Sequence, residues 1–150
     1  RLDLKTGKTH ERVIDDVLNT EFPVINASYQ GRKNQFTYNV LFPQGGREEP
    51  RFPGLVKYDI TTGGYIAYSA GPQYFYNEPG FAPRDNSQSE DDGYLVTFIT
   101  NENTQKSEAL LIDCKRFSDG PVCRIELPHK VLGKQRLGLR IALFGIDDCW

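Results

Sequence analysis

The sequence predicts an all-β protein, organised as part of a β-propeller. Three observations carry that prediction. Apolar and polar residues alternate with the period of two expected of pleated strands along most of the 150 residues. Tight-turn signals separate the alternating runs. The chain also echoes itself at a spacing of about fifty-six residues, the length of a four-stranded propeller blade.

Taken in order, the opening "LDLKTG" (2–7) delivers an Asp and then a Gly suited to a tight turn. The segment "HERVIDDVLN" (10–19) carries a weak helical pattern and is read as a strand followed by a loop. "QFTYNVLF" (35–42) places Phe36, Tyr38, Val40 and Phe42 on one face. "YIAYSA" (65–70), "GYLVTFIT" (93–100), "EALLIDC" (108–114) and "VCRIEL" (122–127) are the further strands. Turns fall at Thr6-Gly7, Gly45-Gly46, Thr62-Gly63-Gly64, Asn101-Glu102-Asn103 and Asp119-Gly120, and "DNSQSEDD" (85–92) reads as a polar loop.

The repeat pairs "LDLKTG" with "YDITTG" (58–63): Asp3 and Asp59 are 59 − 3 = 56 residues apart, as are Gly7 and Gly63. A fainter third copy, "LIDCKRFSDG", puts Asp113 at 113 − 59 = 54 residues further on. A Glu and a Pro recur in the same register, Glu21 in "EFPVIN" and Glu78 in "NEPGFAPR", 78 − 21 = 57 residues apart. About two and a half blades fit in the chain, whereas a closed propeller needs at least about four. The chain is therefore read as a piece of a larger propeller, the alternative being a β-sandwich with accidental repetition.

Bulk composition narrows the function. The net charge of −2 gives no basic footprint for nucleic acid. No apolar run approaches the ~18 residues of a membrane-spanning helix, and "RLDLKTGKTHERV" has no apolar signal-like region. Three cysteines (Cys114, Cys123, Cys149) without metal-type spacing predict reduced thiols in a cytoplasmic or otherwise reducing compartment. "NAS" at 26–28 matches a glycosylation sequon and carries little weight.

Five stretches in sequence, "EFPVINASYQGRKNQFTYNV", "FPGLVKYDITTG", "NEPGFAPR", "EDDGYLVTFI" and "LLIDCKRFSDGPVCRIELPHKV", closely resemble the C-terminal part of the carotenoid cleavage oxygenase family. That family includes carotenoid, apocarotenoid and lignostilbene dioxygenases and the retinoid isomerohydrolase. The resemblance spans residues 1–131 and leaves 132–150 as a divergent tail. It implies a seven-bladed propeller with Fe(II) on its axis, held by four histidines from different blades. It also implies glutamates that accept hydrogen bonds from three of those histidines, and Glu21 and Glu78 match two of them. A metal-bound imidazole commonly donates its other N–H to a carboxylate, which fixes its tautomer and ring orientation. The implied reaction inserts O2 across a conjugated double bond of an apolar polyene or stilbene to give two carbonyl products.

The chain also departs from that pattern. It contains two histidines, His10 and His129. The last ligand of the family would fall near residue 135, and "VLGKQRLGLRIALFGIDDCW" (131–150) has no histidine. His129 is a weak candidate ligand, since it matches the strand before the family's ligand motif. The expectation is a C-terminal part of an iron-dependent cleavage dioxygenase that does not retain iron by itself. The competing readings are a truncated propeller kept as a binding or interaction module, a pseudo-enzyme remnant, and an unrelated kelch-like or WD-type propeller, in which the glutamates have no role.

Overall fold

The computed structural model describes residues 2–43 and 51–131. The expected tail, 132–150, and the Gly45-Gly46 turn lie outside these residues. The first sheet contains β1 (Thr20–Val24), β2 (Phe36–Leu41), β3 (Leu55–Asp59) and β4 (Gly64–Tyr68), hydrogen-bonded in chain order. The second contains β5 (Tyr74–Tyr76), β6 (Gly80–Pro83), β7 (Gly93–Asn101), β8 (Ser107–Asp113) and β9 (Pro121–Glu126). Here β5 and β6 both pair with β7, and β8 and β9 follow in order. All pairings are antiparallel. In effect β5 and β6 are one first strand with a break, so each sheet is a four-step meander. The all-β prediction and the strands read at 35–42, 65–70, 93–100, 108–114 and 122–127 are found.

The segment 10–19 differs: it forms no strand. Its polar side chains are used locally. Asp15 accepts the amides of Val17 and Leu18, and Tyr58 of β3 donates its hydroxyl to Asp15 at 2.7 Å. Backbone groups that a strand would pair are turned by these bonds into an irregular strap over the first sheet.

The repeat has a structural basis. In "LDLKTG" the Gly7 amide donates to the Asp3 carbonyl, and in "YDITTG" Gly63 donates to Asp59, both at 2.8 Å. In each turn the Asp carboxylate also accepts the amides two and three residues on. Gly7 and Gly63 take φ of 67° and 80°, the left-handed region that closes the turn. The third copy keeps the Asp at the end of its strand, because Asp113 ends β8 as Asp59 ends β3. The turn itself differs. Asp113 caps a 3-10 helix (Cys114–Asp119) by accepting the Lys115 amide. The same tight turn appears instead at Asn101, whose side chain accepts the amides of Asn103 and Thr104.

The two sheets share one core. Tyr38, Val40 and Leu55 from the first meet Leu95, Ile99 and Leu110 from the second, with Phe117 of the 3-10 helix. Tyr38 stacks on Phe81 of β6, ring centroids 5.5 Å apart. A polar clamp crosses the same junction. Lys57 of β3 is buried, and its ammonium donates to Asp91 at 2.9 Å and to the Cys114 carbonyl at 2.6 Å. It also lies 4.2 Å from the centre of the Phe36 ring. Next to it, the Glu90 carboxylate accepts the amides of Gln35 and Phe36, at the start of β2, and the Glu90 carbonyl accepts the Asn26 side-chain amide.

A buried ammonium whose partner is removed, or a carboxylate left without it, costs far more than an exposed pair. Lys57→Ala should lower the unfolding free energy by about 3 kcal/mol. Arg124→Ala, which breaks a pair on the partly exposed β9, should cost about 1 kcal/mol or less. Urea unfolding of the two variants checks this ordering.

Candidate functional site

The two Glu-Pro motifs occupy equivalent places. Each lies on the first strand of its sheet, an edge where a proline removes no interior ladder bond. Each carries one extra residue. Glu21 pairs with Val40 and Val24 with Tyr38, so Phe22 and Pro23 face Asn39 alone. Tyr76 pairs with Ile99 and Gly80 with Val96, so Asn77, Glu78 and Pro79 face only Phe98 and Thr97. The second bulge is pinned from below: the Asn77 amide donates to the Phe98 carbonyl at 2.9 Å, and the Thr97 hydroxyl donates to the Asn77 carbonyl at 2.8 Å. The first bulge places Phe22 at φ 54°, an uncommon conformation for a bulky residue.

Nearly every other polar side chain in these motifs is engaged. Arg84 of "EPGFAPR" reaches Asp92 and Asp113, both at 3.3 Å, and lies over the Tyr94 ring. Asp92 also takes Lys115 and the Gln88 amide, and that amide above all, with Lys115 and Arg84, holds its carboxyl below the ordinary 3.8. Glu90 and Asp91 belong to the clamp. Gly93 has no room for a side chain, since a Cβ there would lie 2.5 Å from the Ala82 carbonyl oxygen. By contrast, no hydrogen bond or ion pair engages Glu21 or Glu78 among the described residues. Glu21 is exposed and Glu78 half-buried. Two carboxylates with defined backbone positions and free oxygens can accept hydrogen bonds from groups brought against these edges.

His129 is exposed, in the segment after β9, at the opposite edge of the second sheet from Glu78. That segment is tied to β8, the Leu127 amide donating to the Ser107 carbonyl and the Val131 amide to the Ser107 hydroxyl, both at 2.9 Å. The structure thus does not bring His129 to either glutamate's bulge. No group of three or more His, Cys, Asp or Glu side chains among the described residues converges to hold a metal ion.

The sequence profile of the retinal pigment epithelial membrane protein family matches residues 1–133. The chain belongs to that family. It is 33% identical to the carotenoid 9,10(9',10')-cleavage dioxygenase 1 of Pisum sativum, over 87% of this chain and 26% of the pea protein. It is 28% identical to lignostilbene-alpha,beta-dioxygenase isozyme III of Sphingomonas paucimobilis, over 74% of this chain and 24% of that one. A variant of the Synechocystis apocarotenoid oxygenase superposes with a TM-score of 0.77 at 23% identity, covering 87% of this chain and 27% of the oxygenase. The chain therefore has the fold of this family over its matched length and spans about a quarter of such relatives.

Reading residues 85–92 as a polar loop missed the role of Glu90 and Asp91. Their only local signal was a run of acids directly before a Gly and an apolar strand. Asn26 of the sequon is buried, and its amide is committed to Glu90, which leaves it unavailable for a glycan in the folded chain. Cys114 is a free thiol in the core, and burial pushes it up to about 12. The Cys114 thiol should therefore resist iodoacetamide at neutral pH and react only on unfolding, as mass spectrometry with and without urea would register.

Proposed function

We propose that the chain is the C-terminal part of a non-haem Fe(II) dioxygenase that cleaves a conjugated double bond of a carotenoid, apocarotenoid or stilbene. The reaction adds one O2 across the double bond and yields two carbonyl products. Family membership supports the reaction class, and the carotenoid and lignostilbene dioxygenases it resembles support the substrate class. A cobalt-substituted form of the Synechocystis oxygenase, superposing with a TM-score of 0.77 at 23% identity, is in keeping with a metal centre in the fold. Fe(II), where bound, supplies the O2-activating centre.

The observation that carries the reading for this chain is the pair of unengaged carboxylates on equivalent bulges. Glu21 and Glu78 accept the outward N–H of iron-ligating imidazoles and so fix tautomer and orientation. The bulges hold the carboxylates through backbone geometry, and the adjacent prolines stiffen each strand edge. The histidines themselves come from elsewhere, because this sequence has only two.

In a full-length protein containing this segment, Glu78→Gln and Glu21→Gln should each weaken iron retention about 10–100-fold, measured by metal analysis after dialysis against a chelator. Unchanged retention and turnover in both would remove the assignment. The two-histidine count favours one further statement: residues 1–150 alone do not retain iron. Stoichiometric iron in the isolated, folded chain would overturn it.

A further inference from the structure

We propose that Phe52 is a positioning residue for both glutamates, which rests on the role of Glu21 and Glu78 just proposed. Phe52 lies in the connection from β2 to β3, which belongs to the first sheet, yet its backbone pairs with the second. It forms an isolated antiparallel bridge with Tyr76, and the Tyr76 amide donates to the Phe52 carbonyl at 2.9 Å. Tyr76 is the last residue of β5, two before Glu78. The Phe52 ring meanwhile meets Phe22 edge-on, with centroids 5.5 Å apart and an interplanar angle of 79°. Phe22 directly follows Glu21. One residue thus touches the residue next to one carboxylate and the strand that delivers the other.

Two further observations give this contact a purpose. Phe22 holds φ 54°, a conformation that persists only where the surroundings impose it. Its side chain is substantially exposed, and among the described residues its ring contact is with Phe52. Phe52 in turn is buried and braced by Phe42, with ring centroids 5.9 Å apart. Its neighbour Arg51 pairs with Glu102 and lies over Phe75 of β5, which ties the same connection to the second sheet a second time. The connection is therefore held to β5 through its backbone and presents a fixed aromatic edge to the strained bulge at Phe22. Removing the ring frees Phe22 to leave the left-handed region, and the peptide rotation that follows re-aims Glu21. Loosening the Phe52–Tyr76 bridge acts on Glu78.

The test uses a full-length protein containing this segment and reads Fe(II) retained after dialysis against a chelator, with folded fraction measured in parallel. Phe52→Ala and Phe52→Leu should lower retention about tenfold. Phe52→Tyr, which keeps the ring, should restore it to within about twofold of the parent protein. Ile112→Ala, a core cavity on β8 opposite Leu95 rather than opposite the residues that face the second bulge, should lower stability and leave retention near that of the parent. If the alanine variant fails to fold, the leucine variant carries the comparison. Folded Phe52 variants that retain iron like the parent, while Glu21→Gln and Glu78→Gln lose it, overturn the role of Phe52 alone. Retention unchanged in the glutamate variants as well overturns the role of the carboxylates, and that of Phe52 with it.

Discussion

The junction of the two sheets rests on one buried ammonium. Lys57 leaves the first sheet and finds both its hydrogen-bond acceptors at the second, the Asp91 carboxylate and the Cys114 carbonyl, while a ring face of its own sheet lies beside them. A charge buried to this degree is tolerated only where its partners are already in place. The clamp therefore works as a registration device as much as a source of stability. If the sheets slide or rotate, the ammonium loses its acceptors while still excluded from water. Glu90 adds a second constraint of the same kind, because its carboxylate ends the exposed backbone at the start of β2.

This junction explains how two short edge strands can hold residues in unusual geometry. An isolated pair of strands is marginal in water. Here each first strand is backed by three more, and the second sheet packs its core against the first. The stability needed to impose a left-handed Phe22 or a three-against-two bulge at Glu78 comes from the layers behind. The acids of the second sheet are absorbed in this construction, with Arg84, Lys115 and Lys57 neutralising Asp92, Asp113 and Asp91. Glu21 and Glu78 stand apart because no basic side chain among the described residues pairs with them.

Much of this was legible in the chain. Period-two alternation of strand-forming residues marked β2, β4, β7, β8 and β9, although β4 is largely exposed and β7 and β8 are buried on both faces. The 56-residue echo of Asp and Gly was legible because an Asx turn needs a short acceptor side chain and a residue that takes positive φ. The echo misled where chemistry and position part company. Asp113 keeps the position and uses its carboxylate to cap a 3-10 helix, whereas Asn101 makes the same turn, closed by Gln105 at φ 59°. The strand expected within 10–19 failed for a related reason: Asp15 offers the backbone a local acceptor that competes with a ladder.

The sequence by itself determined the class of fold, most of its strands and the paired Glu-Pro motifs, since each is written in local periodicity or in a motif. Only the tertiary structure decided which acids are structural and which are left free. "EDDG" and "NEPG" look alike as polar interruptions between strands, and no local rule separates Asp91 from Glu78. The difference is what lies across the junction. Lys57, thirty-four residues before Asp91 in the chain, arrives beside it through the sheet-on-sheet packing, and nothing comparable among the described residues reaches Glu78. A carboxylate's partner is set by distance in space, and that distance exists only once the two sheets have closed on a common core.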